Sequence, residues 1–107
     1  MKRVAFLLKV SPDKIEKYKE LHRAVWPEMI EALRRNGWHQ YSIFLHESGL
    51  LFGCFETPES FQAALAGMSK EQVNKRWQEF VAACFENTNG AHADESMQEL
   101  VEVFHID

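Results

Sequence analysis

Three observations in this sequence predict an α+β domain. Apolar residues alternate with period two at 2–10, 38–46, 50–56 and 97–106, the mark of strands. Between these runs they recur at helical spacing. Capping and stop residues stand at the changes of period. In KRVAFLLKV, residues Val4, Phe6, Leu8 and Val10 share one strand face. Ser11-Pro12 then reads as a helix start, with serine as the cap and proline at the first helical position. That helix is expected to run through His22 and to break at Trp26-Pro27, because a residue before proline disfavours helical geometry. PEMIEALRR, with Met29, Ile30 and Leu33, forms the next helical stretch and stops at Asn36-Gly37.

WHQYSIFLH (38–46) and LLFGCFE (50–56) are strands joined by Glu47-Ser48-Gly49 as a tight hairpin. Thr57-Pro58 repeats the cap-then-proline start before PESFQAALAG. Ser69 with Gln72 three residues on reads as a capping box for a helix over about 70–85, with Val73, Trp77, Phe80, Val81 and Cys84 on its buried face. Residues 86–96 are a polar loop, either lid or connector, and 97–106 closes the chain as a strand. The order strand, helix, strand, strand, helix, strand is the ferredoxin-like βαββαβ pattern: an antiparallel sheet with helices on one face, in a single domain over 1–107. Phe44, Phe52, Leu100 and Phe104, with their neighbours Ile43, Leu45, Leu51 and Phe55, leave both faces of several strands apolar. A half-solvated antiparallel sheet alternates more cleanly. A second copy packed on the uncovered face, giving a homodimer, explains the excess.

The 107 residues and 46% hydrophobic content suit one core and no second domain. A net charge of −4, with lysines and arginines scattered along helices, argues against nucleic acid or an anionic membrane as partner. No run approaches the ~20 apolar residues of a membrane span. The run Val4 to Leu8 is too short for a signal peptide. Cys54 and Cys84 stand in no CxxC or zinc-ligand spacing, so a cytoplasmic protein with free thiols is expected.

Chemistry is expected at YKELHRAVWPE. Tyr18, His22 and Trp26 are four residues apart, and Ile15, Tyr18, Leu21, His22 and Val25 follow the stripe the helix should bury. A buried imidazole needs a polar partner, since an unpaired buried polar group costs about 1–3 kcal/mol. His22, whose ordinary pKa lies near neutrality, is therefore the leading proton-transfer candidate. The alternative is a core histidine satisfied by a backbone carbonyl. Tyr18 and Tyr41 are either substrate hydrogen-bonding groups or amphipathic core residues. Trp26, Trp38 and Trp77 line either a sugar pocket or the core. His39, His46, His92 and His105 form no HxH on one strand face and no HExxH, so no metal site is expected. Glu28, Glu31, Glu56 and Glu59 look like exposed positions rather than a glycosidase pair. A GxSxG elbow and a glycine-rich phosphate loop are both absent.

AFLLKVSPD, EKYKELHRAVWPE, GWHQYSIFL, VNKRW and MQELVEVFHID together resemble the L-rhamnose mutarotase family over nearly the whole chain. The most specific piece is YxxxHxxxWPE followed at this distance by Tyr41 and the Arg76-Trp77 pair. The resemblance implies a dimeric α+β barrel of ferredoxin-like subunits that interconverts the α and β anomers of a 6-deoxy-L-hexose sugar without metal or cofactor. It carries the catalytic acid onto His22 and the substrate-contacting tyrosines onto Tyr18 and Tyr41. The family's adjacent tryptophans fall on Trp77 and Gln78, where this chain has exchanged an apolar wall for a hydrogen-bonding one. That exchange keeps L-fucose as the alternative sugar. A cofactor-independent monooxygenase and a non-enzymatic sugar-binding protein are the alternatives from other classes, because one fold hosts many functions.

Overall fold

The computed structural model describes residues 1–85 and 96–107. Alternation along β1 (Lys2–Lys9) turns Val4, Phe6 and Leu8 to one face, where all three are buried. β3 (Leu50–Thr57) lies antiparallel to β1 with Val4 opposite Phe55, Phe6 opposite Gly53 and Leu8 opposite Leu51. β2 (His39–Leu45) pairs with β3, and the two-residue β4 (Gln98–Glu99) pairs with β1. The sheet order β2-β3-β1-β4 is antiparallel throughout. It inserts β3 between the two strands that the first helical segment joins, the split βαβ arrangement.

That segment holds α1 (Ile15–Leu21) and α2 (Pro27–Arg35). The second holds α3 (Phe61–Ser69) and α4 (Gln72–Val81). Tyr18, Ala32, Phe61, Ala64, Met68 and Trp77 from these helices are buried in one core with the β1 and β3 side chains. Phe6 is its centre: fully buried, its ring stacks on Phe61 at 5.9 Å and 9°. Gly53 allows this, since a Cβ there would come within 2.3 Å of the Phe6 ring. The opposite sheet face is open. Phe44 is 59% exposed and lies 6.2 Å from the ring of the half-exposed Phe52. The two-sided apolar character expected of the strands is thus real.

Pro27 opens α2, and Trp26 before it is extended, as expected for a residue preceding proline. Asn36 caps α2, and Gly37 takes the left-handed φ of +84° that stops it. Other boundaries differ from expectation. Ser11 makes no side-chain cap among the described residues; its amide donates to the Cys84 carbonyl, and a short 3₁₀ turn at Pro12–Lys14 leads into α1. Thr57 does not start a helix, because it pairs with Lys2 as the last residue of β3. Ser60 is the cap instead, accepting from the Ala63 amide at 3.0 Å. The Ser69–Gln72 capping box is absent: Ser69 ends α3 and donates to the Ala66 carbonyl, while Glu71 precedes α4 and is engaged by Arg35 and Asn36 of the first helical segment.

The last helix is also shorter than 70–85, ending at Val81 before a 3₁₀ turn at Ala82–Cys84. Val73, Trp77, Val81 and Cys84 are buried as expected, but Phe80 is 48% exposed, with its ring 5.3 Å from that of Trp26. The final strand is reduced to Gln98–Glu99 plus a bond from the Leu100 amide to the Ala5 carbonyl. Residues 101–107 are exposed, held beside β1 by the Arg3–Glu102 ion pair at 2.7 Å. Of the expected polar loop 86–96, all but Ser96 lies outside the described residues. Among the described residues no helix is long and apolar enough to cross a membrane.

Candidate functional site

Tyr18, on the last full turn of α1, is buried, and His22 follows one turn later where the helix tightens to 3₁₀. Their rings lie 4.1 Å apart between centroids. His22 Nδ1 sits 3.0 Å from the Tyr18 carbonyl oxygen. A carbonyl only accepts, so the proton is on Nδ1 and Nε2 carries the lone pair of the neutral ring. The core-histidine reading thus holds for one ring nitrogen, which the backbone satisfies, while the other carries a lone pair. Burial lowers the His22 pKa, with the Tyr18 carbonyl bond opposing the shift in part. Burial also pushes the Tyr18 phenol well above its ordinary range, with a smaller contribution from Cys84. Tyr18 is thus a hydrogen-bond donor and not a base.

Proline at 27 forces the chain out of helix at Val25 and Trp26, which brings the Trp26 indole back over α4. Trp26 meets Trp77 edge-on at 5.0 Å, and Trp77 in turn meets the His22 ring edge-on at 5.3 Å. On α4 the spacing 74, 77, 78, 81 buries Asn74, Trp77, Gln78 and Val81 on one face. Asn74 Nδ2 donates to the Met68 carbonyl at 3.2 Å, and Gln78 Nε2 donates to Asn74 Oδ1 at 3.2 Å. Opposite, β2 carries a bulge between His39 and Ser42, with Gln40 at φ +51°. A bulge re-aims the side chains beside it, and half-buried Tyr41 sits among Phe6, Trp38 and Phe55.

These elements enclose a cavity of about 720 Å³, within the size range of small-molecule sites. Tyr18, His22, Tyr41, Trp77 and Gln78 all line it. Trp38 lines its floor as a core residue with its indole N–H bonded to the Ala64 carbonyl at 3.1 Å. Trp26 is not among the lining residues; it packs edge-on against Trp77, which is. Glu28, Glu31, Glu56 and Glu59 lie outside the wall. Asn74, His39, Gln40 and Arg34 line it without having been singled out in the sequence as pocket residues. For Asn74 the signal was available, since it stands four residues before Gln78 on the same helix face. Among the described residues, no group of three or more His, Cys, Asp or Glu side chains is arranged to hold a metal ion. The site is an aromatic cup with the imidazoles of His22 and His39, two phenols, the carboxamides of Gln40, Asn74 and Gln78 and the Arg34 guanidinium, suited to a polyhydroxylated ring and to moving a proton upon it.

Comparison with known proteins points the same way. A family model described as L-rhamnose mutarotase matches residues 3–106. The chain is 36% identical over 108 residues to an L-rhamnose mutarotase of Oceanobacillus iheyensis and 39% identical over 108 residues to one of Bacillus subtilis, with all of each chain covered. Its fold is similar to a crystal structure of an L-rhamnose mutarotase from Formosa agariphila, with a TM-score of 0.82, 28% identity and full coverage of both chains.

Proposed function

The chain belongs to the L-rhamnose mutarotase family, and on that premise we propose that its cavity catalyses exchange between the α and β anomers of L-rhamnose with His22 as the proton carrier. The observation that carries the reading is the bond from His22 Nδ1 to the Tyr18 carbonyl, which assigns the lone pair to Nε2 within the cavity wall. Ring opening begins when Nε2 takes the proton of the O1 hydroxyl. The O1 electrons form the C1 carbonyl, the bond from C1 to the ring oxygen breaks, and the imidazolium returns the proton to that oxygen. Rotation about C1–C2 turns the other carbonyl face to the ring oxygen, and the reverse proton movement closes the second anomer. Both oxygens are attached to one carbon, so a single imidazole nitrogen serves each in turn. It acts as the acid in the half of the cycle the family resemblance assigns to it.

Tyr18 and Tyr41 orient sugar hydroxyls, with Tyr18 donating because burial keeps its phenol protonated. Trp77 packs on the apolar C–H face or the C6 methyl, and Gln78 takes a hydroxyl. The free Cys54 and Cys84 thiols support a cytoplasmic setting. The open sheet face around Phe44 and Phe52, with the exposed Val103 and Phe104 beyond it, supports a homodimer closing into an α+β barrel.

Saturation-transfer NMR of the anomeric protons of L-rhamnose and L-fucose, with and without catalytic protein, tests the reading. Accelerated exchange of L-rhamnose is expected and is lost in His22→Ala. Preference for L-fucose would reassign the sugar through Gln78. Unchanged exchange of both, with folded protein, would remove the enzyme.

A further inference from the structure

We propose that Gln40 is a positioning residue whose left-handed backbone seats Tyr41 on the cavity wall. The inference rests on the mutarotase reading above, in which Tyr41 orients a sugar hydroxyl, and it names what holds that group in place. Side chains along a strand alternate, so residues three apart point to opposite faces. Trp38, just before β2, and Tyr41 within it break that rule. Their ring centroids lie 5.1 Å apart, and both meet Phe55 on the core face, Trp38 stacked at 4.0 Å and Tyr41 edge-on at 5.8 Å. The bulge absorbs the odd residue. Ser42 stands opposite Cys54 and His39 opposite Glu56, so three steps along β2 match two along β3. Gln40 takes up the difference with its φ of +51°, and among the described residues no other side-chain-bearing residue has a positive φ.

The segment is pinned on both sides of that turn. The buried Trp38 donates its indole N–H to the Ala64 carbonyl at 3.1 Å and its amide to the Leu33 carbonyl at 2.9 Å. Beyond the bulge, Ile43 is opposite Gly53 and Leu45 opposite Leu51. Between these pins an uninterrupted strand would have to turn either Trp38 or Tyr41 to the open sheet face, because a one-residue slip exchanges the faces. Trp38 is held by its stack and two hydrogen bonds, so Tyr41 is the residue that would leave the wall. The Gln40 side chain is exposed and buries nothing in the core. Its contribution is therefore the conformation of its backbone, which L residues adopt only at a cost. Strain of this kind persists where surrounding structure holds it, and it collects at functional sites. Here it lies between His39 and Tyr41, and all three residues line the cavity.

The test sets variants that tolerate a left-handed backbone, Gln40→Gly and Gln40→Asn, against two that resist it, Gln40→Val and Gln40→Pro. Two readouts are taken: the nuclear Overhauser contact between the Trp38 and Tyr41 rings, and KM and kcat for anomer exchange of L-rhamnose. Gln40→Gly and Gln40→Asn should keep the ring contact and the KM. Gln40→Val should weaken the contact and raise KM about five- to tenfold with little change in kcat, and Gln40→Pro should do more. Where Gln40→Pro does not fold, Gln40→Val carries the comparison. In a Tyr41→Phe background Gln40→Val should raise KM no further, because it acts through Tyr41. A loss in Gln40→Gly equal to that in Gln40→Val would place the effect in the side chain and overturn the proposal. Additive losses in the double variant, or an intact ring contact in every folded variant, would overturn it too. Should the unmodified protein leave the exchange rate of L-rhamnose unchanged, the mutarotase reading fails. The ring contact then decides the positioning separately, lost in Gln40→Val and kept in Gln40→Gly if Gln40 seats Tyr41.

Discussion

Lowering the pH across the neutral range is the perturbation that tests His22 most directly. The bond from Nδ1 to the Tyr18 carbonyl leaves Nε2 as the nitrogen that, in the proposed mechanism, must be unprotonated to begin ring opening. At an ordinary histidine pKa near 6.5, about three-quarters of the rings would already be neutral at pH 7. Burial shifts the value downward, so the neutral fraction in the folded protein is larger still. The sign follows: kcat/KM is flat at neutral pH and falls on the acid side, with an apparent midpoint below 6.5 and a limiting slope of about tenfold per pH unit. On the alkaline side Tyr18 imposes no loss through its ordinary range, because burial holds its phenol protonated. His22→Ala should lower kcat/KM by about 10²–10⁴-fold and abolish the acid limb, leaving a profile set by the solvent reaction. The assay is magnetisation transfer between the anomeric protons of L-rhamnose at fixed ionic strength, over a pH series in which circular dichroism certifies the fold. Activity that rises toward acid, or an acid limb that survives in His22→Ala, would refute the assignment of Nε2 as the initial acceptor.

Three further outcomes follow from the geometry around the site. Gln40 holds a left-handed φ of +51° at the β2 bulge, so Gln40→Gly should stabilise by up to about 1 kcal/mol in urea unfolding and Gln40→Val should destabilise; the opposite order would remove strain from the account. Gly53→Ala drives a methyl into the fully buried Phe6 ring and should cost about 1–3 kcal/mol, read as a fall in the denaturation midpoint; an unchanged midpoint would mean the Phe6–Phe61 stack yields freely. Phe44→Glu together with Phe52→Glu charges the open sheet face without touching the cavity, and should reduce the sedimenting mass from two chains to one; a single chain for the unmodified protein at micromolar concentration would defeat the dimer.

Local signals carried through where the interaction that decides a feature is itself local. Pro27 and the Asn36-Gly37 stop act within a few residues of chain, and α2 begins and ends on them. The four-residue spacing of Tyr18 and His22 is likewise a property of one helix, and the two rings meet at 4.1 Å. Features set by distant residues were not legible. Thr57 has the same capping chemistry as Ser60, and what separates them is that Lys2 holds Thr57 in the sheet. Glu71 precedes α4 without capping it because Arg35 and Asn36 engage its carboxylate from elsewhere in the chain. The bulge at Gln40 exists only in the register of β2 against β3, and no residue type at 39–42 announces it. Asn74 is a mixed case: its four-residue spacing from Gln78 is visible in the sequence, but a polar residue on an amphipathic helix reads as solvent-facing until its acceptor, the Met68 carbonyl, is known.

The composition of the cavity wall bears on how the His22 imidazole of the proposed mechanism stays neutral. Among the described residues the wall contains no aspartate or glutamate, while its polar groups are imidazoles, phenols, carboxamides and one guanidinium. A carboxylate beside His22 would favour the imidazolium and raise its pKa, typically by a unit or more at contact distance. The ring would then be charged at neutral pH and unable to accept the first proton. Apolar surroundings do the reverse, and Trp77 edge-on at 5.3 Å together with Tyr18 at 4.1 Å supplies them. Hydroxyl recognition has to come from groups that bind without biasing that equilibrium. Neutral carboxamides and phenols meet this requirement, whereas the carboxylate pairs common in sugar-cleaving sites do not. The same constraint explains why Gln78 is compatible with the proposed chemistry: it is a neutral carboxamide and leaves the net charge of the wall unchanged. Replacement by glutamate would not be equivalent. Gln78→Glu should move the acid limb of the pH profile toward neutrality, in the direction of a raised His22 pKa, and an acid limb that stays in place would separate the two residues electrostatically.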